Sequence, residues 1–208
     1  MEVCFIIMIQ QKLDTLLASH TAPTLMGIKP ANLVSLPRFE TFEQMVQNYN
    51  AHLNQQDIYF HPVCQCNCKQ LLMVYRKSEL VKTLCEPQKR AFLLSYGYPV
   101  YHKNNVQLYF DEILSYLAQR IQSTKGFPHE IGIFLGYPLE DVVGFITNNG
   151  CNYKYSGCWK VYGDETYSRR LFAQYKSCKQ QLSQALKNTD GNLLHCLCTI
   201  SIIQNRSV

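Results

Sequence analysis

The feature that most constrains the fold is an uninterrupted apolar run near the middle of the chain, Leu71 to Tyr75 within CKQLLMVYR. A strand that is apolar on both of its faces must be covered on both faces. The run therefore predicts the central strand of a sheet, with other elements packed on either side of it.

Helical spacing of apolar residues recurs on both sides of this run. It predicts a short helix over 10–19, a helix through FETFEQMVQNYNAHL, two helices over 79–84 and 88–96, and a longer one over 106–122. Between the first two helices, the prolines and the glycine of HTAPTLMGIKPANLVSLP predict a rigid loop that leads into a short strand at NLVSL.

The stretch FPHEIGIFLGYPLEDVVGF, residues 127–145, is the most distinctive segment. Ile131 to Leu135 is predicted to be a strand, and the residues after Pro138 are predicted to form a helix that closes near Gly150. Alternation over 153–162 predicts a further strand near an edge, and Asp164 is the expected N-cap of a long final helix.

Strands separated by helices indicate an α/β (or α+β) class. We expect a single layered domain over residues 1–187, containing a small mixed sheet of about three to five strands flanked by helices, and a C-terminal tail over 188–208. The pattern leaves the strand order open.

The composition is that of a globular protein, with 47% hydrophobic and 17% charged residues among 208. The net charge of +5 is spread without a basic run, which argues against nucleic-acid binding. The apolar segments at 3–9 and in LLHCLCTISII are too short to span a bilayer, and MEVCFIIMIQ lacks the basic start of a secretion signal. We therefore expect a cytoplasmic protein whose ten cysteines are reduced.

Six stretches together resemble a bacterial family of domains of unknown function, DUF3793. They are HTAPTLMGIKPANL, LLMVYR, GYP, FPHEIGIFLGYPLEDVVGFI, NYK and WKVYGD, in this order. The resemblance implies a cytoplasmic protein of similar length and brings no activity, cofactor or catalytic residue. It also implies a link to flavodoxin and iron-uptake genes, and hence a flavodoxin-like or iron-uptake partner and a role in iron or redox metabolism. Thr21 and Cys158 depart from the family pattern, which has a cysteine and an aromatic residue there.

His129 and Glu130 stand at the start of the predicted strand 131–135. Their side chains are therefore expected on opposite faces of a sheet and not as one catalytic pair. For His129, a structural role is preferred over a role as base or ligand. In LGYPLED, two acids in the first turn of a helix suit the helix dipole and disfavour a bound phosphate.

The loop after the first helix holds several polar candidates, His20, Thr24, Lys29 and Asn32, between prolines. Polar loops often carry function, so a ligand site and a merely shaped connection are equally good interpretations. These four residues are retained as candidate ligand-binding residues.

Arg76 and Lys160 are two further ligand-binding candidates. Arg76 ends the central strand, where its guanidinium is predicted either to hold an anion or to cap the sheet. Lys160 lies on the wetter face of the predicted strand 153–162, and Trp159 on the other face is expected to anchor the core.

The segment CQCNC is the strongest metal-like signal. It places Cys64, Cys66 and Cys68 at alternate positions, with His61 as the nearest fourth ligand for zinc or iron. The C-x-x-C pairs of a zinc ribbon are missing. Reduced cysteines without a metal are therefore the preferred interpretation, and no metal is assigned.

Three functions are compatible with these features. The preferred one is a non-enzymatic accessory or regulatory protein that binds a small molecule or a protein partner, because no complete catalytic constellation is present. One alternative is an enzyme or cofactor-binding protein whose polar site is formed by the 20–32 loop, Arg76 and His129. The other is a thiol-metal protein built on Cys64, Cys66 and Cys68. The ligand, the cofactor and the enzymatic status are left open.

Overall fold

The computed structural model of the chain describes residues 2–65, 69–101, 106–123 and 127–205. At its centre is a three-stranded sheet formed by β1 (Ala31–Pro37), β2 (Ile58–Gln65) and β3 (Lys69–Arg76). The strands lie in the order β1, β3, β2. The apolar run thus occupies the central strand, as predicted, and the short strand at NLVSL is confirmed.

Both pairings in this sheet are antiparallel, with Met73 of β3 opposite Leu33 on one side and His61 on the other. The α/β class and the small sheet are therefore confirmed. The sheet differs in one respect from the expected mixed sheet, since it contains no parallel pair among the described strands. Only three residues separate β2 from β3, and a connection this short permits antiparallel pairing alone.

Neighbouring side chains of β3 enter two different hydrophobic cores. Leu72 and Val74 belong to the first core, and Met73 and Tyr75 belong to the second. Adjacent residues of a strand point to opposite faces of its sheet. The run is apolar at every position because both of its faces are buried.

Nine α-helices pack around the sheet in the described part of the chain. They are α1 (Glu2–Leu25), α2 (Phe42–Leu53), α3 (Lys77–Cys85), α4 (Pro87–Ser95), α5 (Phe110–Ser123), α6 (Ile131–Phe134), α7 (Leu139–Thr147), α8 (Glu165–Lys187) and α9 (Leu193–Asn205). The first core is covered by α1, α2, α8 and α9, and the second by α3 to α7. Within the described ranges, no helix is both long enough and apolar enough to cross a membrane.

Helix α1 is longer than the predicted helix over 10–19, which we expected to end before HTAPT. It continues through Pro23 to Leu25 because Ala22 and Leu25 are buried in the first core and Thr21 Oγ1 donates to Leu17 O at 2.7 Å. The helix ends at Leu25, and the turn after it contains Gly27, whose φ of +79° places it in the left-handed region that favours glycine. Tertiary packing therefore outweighs the proline signal until this glycine.

The segment after residue 187 contributes to the first core. Leu193, Cys196 and Leu197 of α9 are buried there. The amide of Leu193, at the start of α9, donates to the Asp14 carboxylate of α1 at 2.8 Å. Helices from the two ends of the chain are thereby joined in one layer.

The second layer follows the predicted helices with two differences. Helix α5 begins at Phe110, since residues 106–109 form turns. The predicted strand at Ile131 to Leu135 is wrong, because this segment forms the short helix α6 and a turn. All five of its residues are buried, and a short apolar run that is buried all round does not distinguish a strand from a helix.

The predicted strand over 153–162 is instead a small hairpin of β4 (Tyr155–Ser156) and β5 (Lys160–Val161). The chain reverses at Gly157, whose amide donates to Trp159 O at 3.0 Å. The prediction for the next helix is confirmed, since the Asp164 side chain accepts from Tyr167 N at 2.9 Å and caps α8.

Candidate functional site

A pocket of about 340 Å³ lies where the second layer meets the β4–β5 hairpin. Its lining comes from α6 (Ile131, Gly132), α7 (Val142, Phe145) and the hairpin (Gly157, Trp159), with Phe127, His129 and Lys160 beside them. The lining is mainly apolar and aromatic. Pockets of this size and character are typical of sites for small organic molecules.

Asp141, in the first turn of α7, holds the hairpin against the helix. It is 2% exposed, and its Oδ2 accepts from Trp159 Nε1 at 2.7 Å. Its Oδ1 accepts from the backbone amides of Tyr162 and Gly163 at 2.7 and 2.8 Å. Three donors therefore compensate the burial of this carboxylate. Asp141 positions the pocket wall, and both of its carboxylate oxygens already accept hydrogen bonds from the protein.

The wall that carries Trp159 is a stack of aromatic side chains. The Trp159 ring stacks on Tyr137 with ring centroids 4.6 Å apart and meets Phe172 of α8 edge-on at 4.4 Å. Tyr175, one turn further along α8, lies 6.3 Å from Trp159. Such offset and edge-on arrangements are the favoured ones for aromatic rings. The wall is thus rigid and offers aromatic surface to the pocket.

Lys29 lies behind this wall with its ammonium group in an aromatic environment. The side chain is 6% exposed, and Nζ lies 5.2 Å from the ring centroid of Tyr137 and 5.7 Å from that of Tyr175. Burial lowers the pKa of Lys29 from 10.5 to about 8, an effect partly opposed by the nearby Cys158 thiol. Among the described carboxylates, none is within ion-pairing distance of this ammonium. Two tyrosine faces are its principal partners.

His129 and Glu130 point to different environments, as expected, although the reason is a turn before α6 and not a strand. His129 is exposed at the pocket, where its ring meets Phe145 edge-on at 4.8 Å. Glu130 is buried and accepts from Arg120 Nε at 2.8 Å and from the Tyr98 hydroxyl at 3.4 Å. Glu130 is thereby part of the second core, and only His129 faces the candidate site.

Lys160 also reaches the pocket, but its ammonium group is partly occupied. Nζ donates to Gly150 O at 2.6 Å and lies 4.9 Å from the ring centroid of Tyr153. It is the second lysine in the neighbourhood of the pocket, after Lys29, and it lies on the side of the hairpin.

The remaining candidates of the predicted polar loop do not line the pocket. His20 is exposed on α1. Thr24 is buried and donates to Asn32 Oδ1 at 2.7 Å. Arg76 donates to Thr24 O at 2.8 Å, to Leu25 O at 2.5 Å and to Gln56 O at 3.1 Å. The bonds to Thr24 O and Leu25 O satisfy carbonyls at the end of α1, so the guanidinium acts as a helix cap in this structure.

The thiol-metal candidates fall partly outside the described residues, since Cys66 and Cys68 belong to the undescribed segment 66–68. His61 and Cys64 are half-buried on β2, and burial lowers the pKa of His61. Within the ranges that the structure describes, no cluster of three or more His, Cys, Asp or Glu side chains could hold a metal ion. The site at CQCNC stays a prediction.

Two functional elements of the pocket have no sequence signature. Asp141 and Trp159 are 18 residues apart, and the carboxylate resembles an ordinary acid in the first turn of a helix. Lys29 lies in the loop before β1, whereas its aromatic neighbours come from the turn before α7 (Tyr137) and from α8 (Tyr175). Only tertiary structure brings these residues together.

Comparison with known proteins confirms the family resemblance. Residues 17–194 match the model of a family described as Protein of unknown function (DUF3793). The matched range contains every residue of the pocket and of its aromatic wall. No curated protein and no solved structure matches the chain.

Proposed function

The chain belongs to the DUF3793 family, and we propose that it is a non-enzymatic protein that binds a small, largely apolar molecule in the pocket between α6, α7 and the hairpin. The observation that carries the proposal is the pocket itself, a preformed space of about 340 Å³ beside the Tyr137–Trp159 stack. This volume lies near the lower end of the range of about 300–1,000 Å³ found for small-molecule sites. The ligand is therefore expected to be a compact ring system.

The polar groups of the pocket favour binding over catalysis. The Asp141 carboxylate accepts three hydrogen bonds, and Lys160 is bonded to Gly150 O. His129 meets an aromatic ring and, among the described side chains, has no carboxylate or hydroxyl partner that would orient it as a general base. A base that acts in catalysis needs such a partner and a nearby reacting group. The arrangement suits recognition of a ring by stacking and apolar contact.

A small-molecule site also fits an accessory or regulatory role, in which ligand occupancy changes the stability or the surface of the hairpin. The cytoplasmic location, the link to iron or redox metabolism and an enzymatic alternative stay predictions.

The proposal is tested by fluorescence titration with phenylnaphthylamine, a neutral aromatic probe that becomes fluorescent in apolar sites. Ser156 lines the pocket from its exposed position on β4, so Ser156→Trp adds a large ring at the pocket without replacing a buried side chain. We expect saturable binding by the wild-type protein, weakened about tenfold or more in Ser156→Trp because the ring occupies the probe's space.

The matched control is Ser115→Trp, which places the same ring at an exposed position of α5. It should bind phenylnaphthylamine as the wild type does. Binding that is absent in the wild type, or equal in both tryptophan variants, would contradict the pocket as the ligand site.

A further inference from the structure

A buried cation that pairs with no carboxylate in the described part of the chain stands directly behind the pocket wall. Lys29 is 6% exposed, and its Nζ lies 5.2 Å from the ring centroid of Tyr137 and 5.7 Å from that of Tyr175. Tyr137 and Cys158 line the pocket, and both also interact with Lys29. The ammonium is thus separated from the pocket by a single layer of side chains.

The burial of this lysine needs an explanation, because burying an unpaired charge is costly and a folded protein rarely keeps one without a role. An anion seated in the pocket would supply the missing partner. The acids nearby do not, since the Asp141 carboxylate is directed at Trp159 and at two backbone amides. Lys160 adds a second positive charge at the same pocket.

We propose that the ligand of this pocket is an aromatic anion, whose ring lies along the Tyr137–Trp159 stack and whose anionic group rests against Tyr137 and Cys158, where it pairs with the ammonium of Lys29. This inference rests on the proposed function, because it names the chemical class of the molecule bound at the same site. The aromatic wall supplies apolar contact, and Lys29 supplies selection for the negative charge.

The test compares two probes that share an aromatic framework and differ by one charge. Anilinonaphthalene sulfonate is an anion, and phenylnaphthylamine is its neutral counterpart. Dissociation constants of both are measured at pH 7 for the wild type, for Lys29→Met and for Lys12→Met. The last variant removes the same charge from an exposed position on α1.

In Lys29→Met we expect the anionic probe to bind about tenfold more weakly, because the attraction between the two charges across one layer of side chains is lost, while the neutral probe changes little. Lys12→Met should leave both affinities unchanged. If Lys29→Met weakens both probes equally, the lysine only supports the wall and the proposal is wrong. If Lys160→Met, and not Lys29→Met, removes the preference for the anion, the proposal is also wrong.

Titration of the wild type provides a second arm that requires no replacement of Lys29. Its ammonium loses its proton above pH 8, so the anionic probe should bind more weakly at pH 9.5 than at pH 7 while the neutral probe does not. The titratable and charged groups around Lys29 are Cys158, Tyr137 and Tyr175, and those at the pocket are Asp141, His129 and Lys160. The experiment is repeated with Cys158→Ser, which removes a thiol whose pKa is raised by burial, so that its ionisation does not contribute. If the preference for the anionic over the neutral probe is the same at pH 7 and at pH 9.5, the proposed pairing with Lys29 is wrong.

The two proposals can fail separately. Suppose that the neutral probe binds and that Ser156→Trp weakens its binding, but that Lys29→Met leaves the preference for the anionic probe unchanged. The pocket then binds small molecules, and the proposal of an anionic ligand is wrong. If neither probe binds at the pocket, the proposed function fails and the inference fails with it.

Discussion

Replacing Lys29 by methionine is expected to stabilise the protein at neutral pH, although the substitution removes a charged side chain. Burial lowers the pKa of Lys29 from 10.5 to about 8. The two values differ by about 2.5, and at about 1.36 kcal/mol for each pKa unit the buried charge costs about 3 kcal/mol of the free energy of unfolding. Methionine keeps an unbranched side chain in the space lined by Tyr137 and Tyr175 and avoids this cost.

The stabilisation should depend on pH in a defined direction. Below pH 8, Lys29 is protonated in both the folded and the unfolded chain, so the full cost is present. Between pH 8 and 10.5 the unfolded chain binds more protons at this residue than the folded one, and the free energy of unfolding of the wild type therefore rises relative to that of Lys29→Met. The advantage of the variant is expected to be about 3 kcal/mol at pH 7 and to disappear as pH 10.5 is approached.

The assay is urea unfolding of both proteins from pH 7 to pH 10, followed by Trp159 fluorescence and by circular dichroism. Only the difference between the two proteins is interpreted, because other groups titrate in both. Both chains also carry Cys158→Ser, so that thiol ionisation does not enter the comparison. A difference that is constant over this pH range would refute the reasoning, since the packing change alone would then explain it.

Substitutions at two further positions test a contact that shapes the site and the turn that ends α1. Asp141→Asn should lower the free energy of unfolding by about 1–3 kcal/mol, because the amide cannot accept from Trp159 Nε1 and both backbone amides at once. Urea unfolding measures the loss, with Glu112→Gln at an exposed position as the control. Equal stability of the two variants would contradict the role of Asp141. Gly27→Ala should cost about 1 kcal/mol through its φ of +79° alone, since the added Cβ would meet Arg76 Nε at an ordinary 3.6 Å. Gly27→Asn should cost less, because asparagine adopts this conformation more readily, and an alanine variant as stable as wild type would show that the left-handed turn is not required.

The sequence predicted those parts of the fold whose pattern depends on nearby residues. The run at Leu71 to Tyr75 identified the central strand because apolar side chains on both faces require two covering layers. Asp164 identified the start of α8 because an N-cap is a local feature. The segment Ile131 to Leu135 was assigned to a strand because burial on every side erases the periodicity that separates strands from helices.

The candidate site was only partly predictable. Lys29, His129 and Lys160 were named from the sequence, and the structure places His129 and Lys160 at the pocket and Lys29 behind its wall. The role of Lys29 could not be predicted, because its partners Tyr137 and Tyr175 lie more than a hundred residues further along the chain. The sequence made Arg76 a good candidate for anion binding, but in the structure its donors bond to two carbonyls at the end of α1 and to Gln56 O.

The division of the molecule at β3 has a consequence for the order in which the chain can fold during synthesis. The layer over the second core is a continuous piece of sequence, residues 77–147, and follows the sheet directly. The layer over the first core needs α1 from one end and α8 and α9 from the other. On the ribosome, α1 and α2 can cover the face of the sheet that carries Leu72 and Val74, but the side of α1 that packs on α8 must wait for residues 165–187. We expect the chain with this incompletely covered first core to be the species most prone to aggregate and the one that chaperones protect.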